Sequence, residues 1–132
     1  MAYQSPTAST TSYGVVKVGT GIDVTNGVIS VSPNGQVNTV LVEDADTPYQ
    51  VSVDDYYIGV LGTIPVITID LPVGVDGREL VIKQEFSNLS AVQITPQVLD
   101  FIEGQGGYLM PFLVGSLPSV TLIFRGDNWN IV

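Results

Sequence analysis

Carboxylates are the only side chains here numerous enough to do acid–base or metal chemistry. The chain holds thirteen Asp and Glu against four Lys and Arg, with no His and no Cys. Without His, the commonest general base and metal ligand is missing, and neither a Ser-His-Asp nor a Cys-His nucleophile can be built. Without Cys there is no thiolate, no disulfide and no Cys-based zinc site. What remains is glycoside hydrolysis by two carboxyls held roughly 5–10 Å apart in a cleft, one with a raised pKa. Asp54 and Asp55 are adjacent, so on a strand they point to opposite faces. Asp100 with Glu103, or Glu79 with Glu85, would meet only if the fold brought them together. The expectation is a protein that is not an enzyme and takes no cofactor.

Other motifs resolve to turns. Glu43-Asp44-Ala45-Asp46 has oxygen ligands, but not the spaced acids and closing Glu of a calcium loop, and reads as a solvated acidic turn. Gly19-Thr20-Gly21 lacks the third glycine and the helix of a dinucleotide site. Gly104-Gln105-Gly106-Gly107 reads as a flexible loop. Arg125-Gly126-Asp127 spells an adhesion tripeptide, yet stands where a hairpin turn belongs. Trp129 reads as a core or interface anchor. Tyr56, Tyr57 and Tyr108 could line a glycan surface, with packing the preferred role.

The elements that must position these residues are strands. Val66-Ile67-Thr68-Ile69-Asp70-Leu71 alternates, Pro72 and Asp76-Gly77 supply a turn, and Glu79-Leu80-Val81-Ile82-Lys83 alternates again. This is the signature of two half-buried strands, expected to pair with each other at the centre of the fold. Short apolar stretches at residues 15–18, 22–25, 28–31, 37–42, 49–53, 56–60, 92–95, 101–102, 108–114, 120–125 and 129–132 complete the set. Asn26-Gly27 is the strongest hairpin signal among them, because a type I′ turn needs positive φ at both central residues. Residues 78–95 contain neither Gly nor Pro, but their Val, Ile and Thr favour two strands and a loop over a helix, with room for one helical turn near residues 86–91.

The fold class expected is all-β: short antiparallel strands in a sandwich or barrel-like body. Residues 1–35 form an N-terminal arm with a hairpin module and residues 36–132 a compact domain. Residues 2–12 have no periodicity and read as an extended strap anchored by Tyr3 and Tyr13. The first residues carry neither a basic nor an apolar region of a signal peptide. No apolar run reaches the ~20 residues of a membrane helix.

The charge pattern restricts the partners. Net charge is −9, and between Lys17 and Arg78 there is no basic residue. Nucleic acid and an anionic membrane surface would both be repelled. Charged residues make up only 13% of the chain, about half the ~25% usual in soluble domains. Part of the surface is therefore expected to be covered by protein, through self-association or docking.

The run Tyr13-Gly14-Val15-Val16-Lys17-Val18-Gly19-Thr20-Gly21-Ile22-Asp23-Val24-Thr25-Asn26-Gly27-Val28-Ile29-Ser30-Val31 resembles a small β module of tailed-bacteriophage virion proteins. Fibres and head- or tail-associated trimers carry it, notably in phages of cyanobacteria. The order of residues 54–60, 66–72, 77–83 and 119–132 is similar to compact β-domains of phage fibres and appendages. The resemblance implies a homotrimeric virion structural protein, a capsid decoration or cement protein on the outer shell. Its partners would be copies of itself and the major capsid protein or another virion protein. Tyr3, Tyr13, Val15, Val18, Ile22, Val24, Val28 and Ile29 would be the docking contacts. The alternative it implies is a short tail or head fibre whose β-domain binds a host glycan.

Overall fold

The computed structural model describes residues 23–25, 28–30, 36–112 and 115–132. The chain divides into two units, Met1–Gln36 and Val37–Val132. In the first, β1 (Asp23–Thr25) pairs antiparallel with β2 (Val28–Ser30), Thr25 opposite Val28. The expected turn residues, Asn26 and Gly27, lie outside the described residues.

The second unit is two sheets. The strands are β3 (Thr39–Val42), β4 (Tyr49–Gln50), β5 (Tyr57–Val60), β6 (Val66–Asp70), β7 (Glu79–Gln84), β8 (Ala91–Thr95), β9 (Phe101–Ile102), β10 (Tyr108–Met110), β11 (Ser119–Arg125) and β12 (Asn128–Ile131). One sheet has the order β3-β5-β7-β11-β12-β9, the other β10-β8-β6-β4. From β3 to β10, successive strands fall in alternate sheets. Both sheets turn one face inward: Ile58, Val60, Leu80, Ile82, Leu122 and Trp129 from the first meet Ile67, Ile69, Val92, Ile94 and Met110 from the second in a single core. Each such side chain contributes about 1.5–3 kcal/mol by leaving water. All-β is correct, and the described strands fall on stretches where alternation places them, although β4 stops at Gln50 and β10 at Met110. The stretch at 15–18 lies outside the described residues. Among the described residues no helix is long and apolar enough to cross a membrane.

Two expectations are corrected. Residues 66–71 and 79–83 do not pair. β6 lies between β4 and β8, and β7 between β5 and β11, in opposite sheets. Nor is the body antiparallel throughout. β3 with β5, β5 with β7, β4 with β6, β6 with β8 and β9 with β12 are parallel. The reason is connection length. A hairpin closes over two residues, whereas residues 71–78 are long enough to cross the ~10 Å between facing sheets. The chain thus coils between sheets and stacks each strand from β5 to β8 beside the one two elements earlier. Only toward the end do antiparallel strands appear: β10 beside β8, β11 beside β7 and β12 beside β11. Residues 86–91 form no helical turn; Phe86 and Ser87 make a tight turn in which the Asn88 amide donates to the Glu85 carbonyl at 3.0 Å.

The crossing at residues 71–78 lies directly on the core. Gly74 rests on the face of Phe124, and an added Cβ would overlap that ring. Phe124 has little room to retreat, since it is 3% exposed and packs edge-on against Trp129 at 5.2 Å between centroids. Gly74→Ala is therefore expected to cost about 2–3 kcal/mol, the upper range for overpacking. Urea unfolding checks this, and Gly74→Ala should cost less in a chain that already carries Phe124→Ala, because the two sites touch.

Candidate functional site

The carboxylates considered for chemistry are dispersed, and all but Asp54 accept hydrogen bonds. Asp54 is exposed, whereas Asp55 is 5% exposed and accepts hydrogen bonds from Asn38 Nδ2 (3.0 Å), the Tyr49 hydroxyl (2.7 Å) and the Ser52 amide (2.8 Å). Glu79 and Glu85 begin and follow one strand, pointing to separate partners: Glu79 accepts from the Tyr56 hydroxyl (2.5 Å) and Glu85 from the Tyr57 hydroxyl (2.7 Å). Asp100 accepts from the Gly74 amide (2.9 Å) and Glu103 from the Ile131 amide (2.6 Å). No two are brought into one cleft by these contacts. The bonds to the Ser52, Gly74 and Ile131 amides satisfy backbone donors at crossings and in the last strand.

The acidic turn has the same purpose. Asp44–Asp46 form one 3₁₀ turn, capped reciprocally by Glu43 and Asp46. Asp44 accepts from the Thr63 hydroxyl and amide and from the Ile64 amide, which ties this turn to the next crossing. Those bonds, the Thr63 hydroxyl foremost, hold its carboxyl below the ordinary 3.8. Among the described residues no group of three or more acids is placed to hold a metal ion. Gly126-Asp127 is the expected turn, closing the β11–β12 hairpin with Gly126 at φ +70°. Residues 103 and 104 form a tight turn of their own, both at positive φ, with Ile102 bridged to Gln105.

The tyrosines pack, with Tyr49 and Tyr108 half-buried against the core. Burial, then the hydrogen bond to Asp55 and its charge, pushes Tyr49 up to about 12. Burial and Glu85 push Tyr57 to about 12 in the same way. Tyr56 is also raised, chiefly by Glu79. Gly59 makes room for one of these pairs, since Glu85 lies where its Cβ would be. Trp129 is wholly buried, an anchor of the core.

Of the expected docking residues, Tyr3, Tyr13, Val15, Val18 and Ile22 lie outside the described residues. Val24 and Ile29 are register partners in the β1–β2 hairpin, and Val28 stands opposite Thr25. Sequence reasoning missed the residues that fasten the crossings. The Arg78 guanidinium donates to the carbonyls of Ser52, Val53 and Asp55. Buried Asn88 accepts from the Gly62 amide (2.8 Å) and donates to Gln84 Oε1 (3.2 Å) and the Ser90 carbonyl (2.7 Å). No motif marks such residues; the only signal is a polar residue at a position that the strand pattern turns inward, as with Gln84.

The surface left open to a partner includes apolar patches. The crossings at residues 51–56, 71–78 and 96–100 lie side by side at the end of the body where β5 and β7 begin. Val53, Val73, Val75, Val98 and Leu99 are 66–90% exposed there, beside Phe101 at 40%. Val53, Val73 and Val75 border an open cleft of about 380 Å³. No protein-family model matches the sequence, and neither a curated protein nor a solved structure matches it.

Two titrations check this description. Tyr49 and Tyr57 should keep their protons until pH approaches 12. The stability these phenols confer is complete below pH 10 and fades as pH rises toward 12, because the folded state holds the proton more tightly than the unfolded one. Ultraviolet titration should show late-ionising phenols, with one fewer in Tyr57→Phe. Replacing Thr63 by Ala should return the Asp44 carboxyl toward 3.8, read by NMR. The stabilisation from Asp44 is present above that pH and lost as acid protonates it.

Proposed function

We propose that this chain is a structural protein of a tailed-bacteriophage virion, a decoration or cement protein on the head shell that assembles as a homotrimer. The observation that carries the reading is the run at residues 13–31, whose Gly-x-Gly-Ile-x-Val-x-Asn-Gly-Val pattern resembles the phage β module. The body supports it from another side. Its acids are spent on fastening loops, and its open apolar surface suits burial against other subunits. The N-terminal residues around Tyr3 and Tyr13 attach the protein, and the β-body projects. Such a protein acts by binding the assembled shell and not its dissociated parts, so every site filled adds to the stability of the particle.

The test is location and copy number. Many copies on the head, with particles lacking the protein breaking at lower temperature, is the expected result. Deleting residues 1–12 should impair attachment while leaving the unfolding midpoint of the body unchanged. A few copies confined to the tail, with isolated protein binding host cells, would replace this reading with the fibre alternative.

A further inference from the structure

We propose that β3 is a docking edge for a second copy of this chain, pairing antiparallel with the β3 of that copy across a two-fold axis. The inference goes beyond the reading above and does not rest on the virion. In the parallel pair of β3 with β5, the Asn38 carbonyl accepts from the Tyr57 amide at 3.0 Å and the Val42 carbonyl from the Leu61 amide at 2.9 Å. Peptide groups alternate along a strand, so residues 38, 40 and 42 turn theirs to β5. Thr39 and Leu41 turn theirs away, and among the described residues β3 is the last strand on that side of the sheet. Their side chains are exposed as well, Leu41 at 48%.

The other three sheet edges are blunted. β4 is two residues long and starts directly after Pro48, which has no amide hydrogen. β9 is also two residues, and its Ile102 folds back onto Gln105. β10 is three residues and ends at Pro111, with the Met110 carbonyl taken by the Gln84 side chain. β3 has four residues with no proline and no charge, and residues 36–38 before it are uncharged too. An edge left without such devices is a template for another strand.

Geometry and charge together select a second copy. With the two-fold axis at Val40, Thr39 of each copy stands opposite Leu41 of the other. Facing residues of this kind exchange both N–H···O=C bonds in an antiparallel pair, so every outward peptide group of Thr39 and Leu41 finds a partner. The ladder then ends where β3 ends, because the Glu43 amide is already held by the Asp46 carboxylate at 2.9 Å. The two six-stranded sheets become one continuous sheet. A chain of net charge −9 resists self-association wherever its acids would meet. Here Glu43 lies three residues from the axis, so the two acidic turns stand about 20 Å apart along the strands. That exceeds the Debye length of ~8 Å. An acidic foreign strand would be repelled by the turn at residues 43–46, and a basic one would find its counter-charges beyond the end of the ladder. The uncharged β3 of a second copy meets neither difficulty.

Sedimentation equilibrium of the purified full chain over a range of concentrations tests this, with charges placed across the contact. Wild type should form even-numbered species, either two copies or two trimers. T39E/L41E sets like charges directly opposite each other twice. It should weaken formation of those species at least tenfold while keeping the far-ultraviolet spectrum and unfolding midpoint. T39K/L41E leaves the net charge at −9 and sets opposite charges face to face, so it should associate at least as tightly as wild type. Should T39E/L41E lose the fold, L41E alone is judged by the same criteria. A wild type without even-numbered species, a T39E/L41E variant that associates normally, or a T39K/L41E variant that stays impaired overturns the proposal. A protein that decorates phage heads without pairing through β3 would sink this inference and leave the decoration reading standing. Pairing through β3 by a protein absent from particles would do the reverse.

Discussion

A chain that passes back and forth between two sheets must bring polar backbone over an apolar core at every crossing. Unsatisfied, each buried amide or carbonyl costs about 1–3 kcal/mol, enough to erase what one core side chain gains. The rest of this structure depends on meeting that constraint. Asp55, Asn88, Asp44, Asp100 and Arg78 all meet it, each binding backbone from a crossing that is not its own or closing a turn within it. A buried side chain such as Asn88, bonded through both its oxygen and its nitrogen, also fixes one arrangement of loops, since a shifted loop would strand it. Side chains that looked like candidates for chemistry are thereby committed to architecture.

Alternation was enough to place the strands, because facing sheets demand one buried side per strand and β7 shows it without a break from Glu79 to Gln84. It was not enough to pair them. A hairpin and a crossing leave the same period-two pattern in the strands on either side. The difference was nonetheless written in the connections. Where two residues with a turn-forming glycine separate the strands, as at Asn26-Gly27 and Gly126-Asp127, the strands pair. Where the connection is longer and carries Pro, as at residues 71–78, the chain changes sheets. Glu103-Gly104 was missed because Glu is an unusual first residue for a turn with two positive φ angles.

The candidate site was less legible. Asp54 and Asp55 stand in a crossing and not on a strand, and that Asp55 turns inward to meet Asn38 and Tyr49 depends on residues distant in sequence. The scarcity of charge pointed to a covered surface without saying which. Val53, Val73 and Val98 look in sequence like ordinary loop residues. They become one surface only because parallel stacking sets three crossings side by side, and that stacking is the very feature the strand pattern conceals.

The sheet order has a consequence for how the chain acquires its fold. β7 has β5 on one side and β11 on the other, and β9 finds its sheet partner only in β12. On the ribosome, β9 is therefore synthesised before the strand it pairs with exists, and the inner edge of β7 stays bare until residues 119–125 emerge. Parallel neighbours separated by a whole coil bring little local contact to compensate, and such topologies fold slowly. The β11–β12 hairpin, the one long local pairing in the body, acts as the clasp that completes the six-stranded sheet. Synthesis and folding are thus coupled in time, with cooperative closure reserved for the last strands made.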